Sequence, residues 1–408
     1  MTDNIRNEIE SASAEAWHEH MDSLVRRAVD VAAGTPAFVS RLEAAGLSAG
    51  DLMGTDDLGR LPVFSKDDLP TLQEKAPPFG GMLAVEPAEL RRIFMSPGPI
   101  LDPEADEPDF WRSADALWAT GFRPGDIVYN TFAYHLTPAG AMMEEGLREI
   151  GCTVVPGGVG NTDWQVDFLC RSGAVGYVGT PDFLRTLLEA AAEKGLSHSL
   201  RRAHVAGAPL PPSLRTMLQE EHSVDVYQSY GTADAGILGY ESVEKDGWHV
   251  SPGAYVEIVD PASGQPLPDG ETGEVVVTVP NDVYPLVRFG TGDLSALAGG
   301  TSACGRTSPR LMGWQGRVGD GVKVRGMFVH ARQLAVAFAG QPAVERFQAV
   351  VSHDDDKKDR LVVRVAGTDV DTEELAGMLR GALKVRAEVE LTELEEGAPP
   401  LVDERTWD

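Results

Sequence analysis

Tyr284–Leu334 reads YPLVRFGTGDLSALAGGTSACGRTSPRLMGWQGRVGDGVKVRGMFVHARQL. It contains two glycine-bordered acidic turns, Thr291-Gly292-Asp293 and Val318-Gly319-Asp320, and then the run Lys323-Val324-Arg325-Gly326. Glycine next to an acid lets the backbone turn tightly and leaves the carboxylate uncrowded. An aspartate held this way can accept hydrogen bonds from a sugar diol, and an arginine close behind can fork onto a sugar or phosphate oxygen.

Around this stretch, 408 residues allow roughly two to three domains with a large buried core. The formal charge of −28 argues against nucleic acid or an anionic membrane as a main partner. A nucleotide is still compatible with that charge, because local N–H groups, an arginine and Mg²⁺ can outweigh a distant acidic surface. No apolar run is long enough to span a bilayer, and the polar start MTDNIRNEIESASAEAW does not read as a secretory signal. Cys152, Cys170 and Cys304 lack paired metal spacing, so a reducing cytoplasm is the expected setting.

Residues 1–60 read as helices without evident chemistry. From residue 91 short apolar strands alternate with amphipathic helices. Strands are expected at 92–95, 126–132, 152–156, 174–178, 202–206 and 224–228, with helices at 138–150, 181–194 and 211–222 that each begin with proline. This alternation predicts an α/β fold with a parallel sheet covered on both faces and ligands beyond the carboxyl ends of the strands. Beyond Gly247, segments 255–259, 273–279 and 286–289 read as a β-meander. The remainder reads as a small α+β unit, with helices at 332–339 and 372–383 and strands at 347–352, 361–366 and 386–391. The expected domains are a large one, 1–319, and a small mobile one, 320–408.

The run Arg288–Asp293, then Cys304-Gly305-Arg306, then Gly316-Arg317 with Asp320, Lys323, Arg325 and Gly326, resembles the adenylate-forming superfamily of acyl-CoA synthetases. It is most similar to the phenylacetate–CoA ligase branch, from about Pro62 onward. Leu61–Leu69 resembles that family's segment "LPVTTKEDL", with Ser65 suited to cap the following short helix. Tyr227–Asp234 resembles its "YGxTE" motif, and Ala206–Leu210 its adenine-side turn. The resemblance implies that Gly207, Ala208, Pro209, Tyr230 and Gly231 line the adenine side, with Tyr230 stacked on the base. It implies that Ser229 or Thr232 binds phosphate, that Asp234 holds Mg²⁺, and that Asp293 and Arg317 bind the ribose. Asp320 would be the hinge, and Lys323, Arg325 and Gly326 would face a coenzyme A tunnel. His135, in a loop after a buried strand, reads either as a residue near the substrate carboxylate or as a hydrogen-bonded structural histidine.

Departures from the family pattern are also visible. The expected phosphate loop is Ser96-Pro97-Gly98-Pro99, without lysine and with two N–H donors removed. Only Ser96 and the Gly98 amide remain as phosphate contacts, and a degenerate or purely structural loop is the somewhat stronger reading. The acidic run 102–107 that follows should repel phosphate. Asp234 replaces a glutamate, and no lysine follows Lys384, so Arg405 is the candidate substitute for the family's tail lysine. The expected function is an ATP-dependent acid–CoA ligase acting on a small, aromatic or otherwise apolar carboxylic acid, using ATP/AMP, Mg²⁺ and coenzyme A. A homodimer is compatible with the resemblance. The competing expectations are an adenylate-forming enzyme with another acceptor and a pseudo-ligase that only binds nucleotide or acyl ligand.

Overall fold

The structure, a computed structural model, describes residues 4–318, 321–325, 327–354, 357–368, 370–383, 385–395 and 397–406. Its contacts divide the chain into two compact units, Met1–Gly316 and Arg317–Asp408. The expected boundary after residue 319, and Gly319, Asp320 and Gly326 themselves, lie outside the described residues.

In the large unit the predicted alternation builds a nine-stranded sheet. From one edge it runs Thr153–Pro156, Ile127–Asn130, Gly176–Gly179, Arg202–Val205 and Asp225–Thr232, all parallel. Antiparallel strands Gly236–Tyr240, Trp248–Val250, Arg310–Leu311 and Leu297–Ala298 extend it. Successive side chains enter opposite cores. Val128 and Val178 pack with the helices Ser113–Thr120 and Ala139–Ile150, whereas Tyr129 and Tyr177 pack with Thr162–Ser172 and Pro181–Glu193. This is the burial on both faces that near-continuous apolar strands require.

One expected strand does not join this sheet. Arg92–Ser96 pairs antiparallel with Ile100–Glu104 as a separate hairpin. Pro97 and Pro99 offer no N–H to continue a ladder, so the Pro-Gly-Pro run reverses the chain instead.

The strand Asp225–Thr232 runs further than expected and returns as Gly236–Tyr240, with a register shift at Tyr230 and Gly231. A Cβ on Gly231 would lie 2.4 Å from the Gly236 carbonyl oxygen, so only glycine permits this close return. The expected meander forms from Tyr255–Val259, Gly273–Val279 and Leu286–Ser295. Its last strand also takes a parallel partner, with Phe64 opposite Phe289 and Ser65 opposite Gly290. That register brings Lys66 alongside Thr291–Asp293.

The N-terminal segment is tied into the core. Glu10 is fully buried, accepts from Arg306 Nε at 2.9 Å and from the Tyr240 hydroxyl, and Arg306 Nη2 donates to the Asn4 carbonyl at 2.6 Å. Burial pushes the Glu10 carboxyl up, opposed by Arg306.

The small unit is α+β. Its sheet runs Glu388–Leu391, Asp359–Gly367, Val344–His353, Leu401–Asp403, with helices Ala331–Phe338 and Thr372–Leu383. Leu401–Asp403 pairs parallel to Val344–His353 and was not expected as a strand. Among the described residues no helix is long and apolar enough to cross a membrane, and all three cysteines are free thiols.

Candidate active site

The Thr291-Gly292-Asp293 turn is set by its neighbours. Thr291 Oγ1 donates to the Val275 carbonyl at 2.9 Å, and Gly292 N donates to Glu274 Oε1 at 3.1 Å. Gly292 adopts φ +74°, a conformation that strains any residue with a side chain. The Asp293 carboxylate is then half-buried at the surface of the sheet. Its Oδ2 accepts from the Tyr230 hydroxyl at 3.0 Å, and its Oδ1 accepts from Trp314 Nε1 at 3.2 Å. Tyr230 also reaches Thr291 Oγ1 at 3.2 Å and stacks on Trp248, with ring centroids 5.5 Å apart at 7°. One face of Tyr230 is therefore covered by protein.

Four residues beyond Tyr230, Asp234 turns inward. Its side chain is 0% exposed, and its Oδ2 accepts from Lys66 Nζ at 2.5 Å. The turn that carries it is pinned by Trp111 Nε1 on the Ala233 carbonyl at 3.2 Å and by Ala235 N on Thr232 Oγ1 at 3.1 Å. Asp102 lies close enough to interact electrostatically with both Lys66 and Asp234. Burial and then Asp234 push the Asp102 carboxyl well above the usual range, opposed by Lys66.

The expected repulsion from the acidic run 102–107 needs correcting. Asp102 and Glu104 are buried within the hairpin, and Glu104 Oε1 accepts from Arg92 Nη2 at 2.7 Å. Burial disfavours the charged form of both acids. Only the end of the run faces solvent. Ser96 is buried too, with its N–H donated to Asp102 Oδ2 at 3.1 Å.

The oxygen donor set fits Mg²⁺. Asp234 Oδ1 is buried and has no hydrogen-bond partner among the described residues. Mg²⁺ is commonly held by one or two carboxylates together with substrate phosphates. When bound, it would supply charge neutralisation at those phosphates. No group of three or more His, Cys, Asp or Glu able to hold a metal occurs among the described residues.

Ser229 is not brought to this surface. Its hydroxyl lies 2.8 Å from Nε2 of the buried His204, whose Nδ1 lies 2.7 Å from Thr120 Oγ1. Thr120 Oγ1 donates to the Ala116 carbonyl at 3.0 Å, which leaves it to accept from Nδ1–H. Ser229 then donates to Nε2, so its proton is spent inside the sheet. Desolvation lowers the His204 pKa to about 3. The unfolded chain binds this proton more readily, so the contribution is complete above about pH 6.5 and is lost as pH falls toward 3. Between pH 7 and pH 5 the wild type should lose about 2 kcal/mol more than His204→Gln, measured by urea unfolding at both pH values.

Gly207 sits at the carboxyl end of Arg202–Val205 with φ +74°, in an exposed turn with Pro209, and Ala208 is half-buried. A Cβ on Gly207 would lie 3.8 Å from Phe132 Cε1, so this turn borders the Phe132–His135 loop. His135 is exposed on that loop, and Met95 N donates to the neighbouring Leu136 carbonyl at 2.8 Å. Loop and hairpin are thus adjacent.

In the small unit Arg317 is half-buried. Arg325, at φ +48°, donates its backbone N–H to Asp359 Oδ2 and its Nε to the Asp359 carbonyl, both at 2.8 Å. Lys323 lies on the strand Gly321–Val324. Arg405 is not a loose charge. Its side chain is 4% exposed, and it donates to Asp359 Oδ1 at 3.0 Å and Asp403 Oδ2 at 2.7 Å. Substitution for a mobile tail lysine would leave both carboxylates without that partner.

The sequence pattern of the family described as AMP-binding enzyme matches residues 113–283. Phenylacetate–coenzyme A ligase of Thermus thermophilus is 31% identical over 332 residues, 78% of this chain and 74% of the relative. The chain belongs to the phenylacetate–CoA ligase branch of the adenylate-forming enzymes. The enzyme of the same description from Pseudomonas putida is 30% identical, covering 80% of this chain and 76% of its own. A solved 2-hydroxyisobutyryl-CoA ligase, in complex with 2-HIB-AMP and CoA, shares the fold at TM-score 0.87 and 24% identity, covering 98% of this chain and 92% of its own. As a member of this branch the chain is an AMP-forming acid–CoA ligase.

Within the ligase, sequence reading missed Lys66, Asp102, His204 and Trp314. Lys66 had a signal, its place in the Leu61–Leu69 segment. Trp314 lies inside the stretch 284–334 and Asp102 in the acidic run, but neither residue type there announces its partner, and His204 lies outside every motif and acts within the sheet, on Ser229.

Proposed function

We propose that this ligase activates a small apolar acid, in the first instance an aromatic one, in the cytoplasm. The carboxylate attacks the α-phosphorus of ATP, releasing pyrophosphate and forming an acyl-AMP. The thiol of coenzyme A then attacks the acyl carbon and releases AMP. The observation that carries this reading is the hydrogen-bonded Tyr230–Asp293 pair together with the buried Lys66–Asp234 pair, which the pairing of Ser65 with Gly290 brings beside the same turn.

On this reading Asp293 accepts the ribose hydroxyls and Tyr230 meets the base with the face away from Trp248. Thr232 lies toward the phosphates, and Lys66 supplies the positive charge that the lysine-free Ser96–Pro99 loop lacks. A preorganised charge of this kind acts through the transition state, where the phosphate develops negative charge. Gly207, Phe132 and His135 border the acyl side, and the preference for an aromatic acid follows the relatives named phenylacetate–coenzyme A ligase. Arg317 serves the sugar, Asp320 the hinge, and Lys323, Arg325 and Gly326 the coenzyme A path.

Pyrophosphate release with a panel of aryl and short-chain acids, followed by product analysis with coenzyme A, tests the proposal. Turnover confined to apolar acids, ending in a thioester, is expected. Silence across the panel with intact ATP binding rejects the acid class, and an AMP-linked product that persists with coenzyme A present rejects the acceptor.

A further inference from the structure

Both oxygens of Asp293 are engaged by protein donors, Oδ2 by the Tyr230 hydroxyl and Oδ1 by Trp314 Nε1. An ionised carboxylate offers about four acceptor sites, but a ribose diol has to reach Asp293 from solvent, the side on which the exposed indole already holds Oδ1. The two residents are held very differently. Tyr230 is fixed by its stack on Trp248 and by Thr291. Trp314 is 37% exposed, and its indole N–H makes the 3.2 Å bond to Asp293.

The backbone beneath Trp314 is anchored. Met312 N donates to the Ala296 carbonyl and Gln315 N to the Leu294 carbonyl, both at 2.9 Å. Ser295 Oγ donates to the Gly313 carbonyl at 2.7 Å, and Thr272 Oγ1 to Gln315 Oε1 at 2.6 Å. The side chain can therefore rotate away without moving the chain that carries it, and water can satisfy the released indole N–H.

The geometry points to Trp314 as a resident competitor for the nucleotide's sugar: its indole N–H holds Asp293 Oδ1 and is exchanged for one ribose hydroxyl when the nucleotide binds. This inference rests on the reading of Asp293 as the ribose acceptor. Trp314 is then a positioning residue. It keeps the carboxylate turned outward, and it sets how strongly the site favours a full diol. A nucleotide lacking the hydroxyl that meets Oδ1 leaves the indole bond in place and gains nothing from its removal.

Trp314→Phe keeps an aromatic cover and removes the donor. Calorimetry with AMP, 2′-deoxy-AMP and 3′-deoxy-AMP should show AMP binding tightened about fivefold, the scale of one hydrogen bond to a charged group net of its replacement by water. One of the two deoxynucleotides should stay within about twofold of its wild-type affinity. Tryptophan emission should change on adding AMP to the wild type, and most of that change should vanish in W314F. AMP binding no tighter in W314F overturns the proposal, as does an equal gain for all three nucleotides. Asp293→Ala separates the two layers. If it leaves AMP affinity unchanged, the ribose reading fails. If it abolishes AMP binding while W314F binds like the wild type, only the role of Trp314 falls.

Discussion

Asp293→Ala weakens AMP binding by about 100- to 1000-fold. The substitution removes two charge-assisted acceptors, each about 1.5–3 kcal/mol when its partner is fully bonded. Part of the sum is recovered because water solvates the released ribose hydroxyls, which leaves roughly 3–4 kcal/mol in the Kd. The fold should tolerate the change. The turn stays pinned by Thr291 on the Val275 carbonyl and by Gly292 on Glu274. The two donors released, on Tyr230 and Trp314, lie where water can reach them. Calorimetry with AMP, beside a thermal melt, checks both statements. A Kd within about threefold of wild type, with an unchanged melt, would place the sugar elsewhere.

Lys66→Met separates charge from packing at the second pair. Removing the ammonium leaves the Asp234 carboxylate, at 0% exposure, without its partner at 2.5 Å. Breaking a buried pair from one side costs about 3–5 kcal/mol, far more than the pair contributes as a unit. Lys66 is 18% exposed, so the lower end applies. Pyrophosphate release at saturating acid should fall by about 10²–10³, the loss typical of one preorganised charge. The double variant Lys66→Met, Asp234→Asn neutralises both partners and should regain most of the stability but none of the rate. Recovered rate in the double variant would make the pair structural, and the positive charge for phosphate would have to be sought elsewhere.

The family and the α/β architecture were legible before the structure because the relevant signals are local. A glycine beside an acid predicts a turn whatever its surroundings. Strand and helix periods are carried by residues two to four apart, as at Ile127–Asn130 and Ala139–Ile150. Asp293 and Tyr230 were found for the same reason, since each sits inside a short motif. The hairpin at Ser96–Ile100 was misplaced in the parallel sheet because an isolated apolar run does not state its partner.

What the sequence determined by itself is the class of enzyme, the order of its elements and the turn that presents Asp293. The tertiary structure decided which charges and hydroxyls are spent. Lys66 and Asp234 are 168 residues apart and meet through the pairing of Ser65 with Gly290. Ser229 donates inward to His204, and Arg405 is held between Asp359 and Asp403. The reason is physical: a side chain's chemistry belongs to its residue type, but its hydrogen-bond partners and its access to water are set by chain segments distant in sequence.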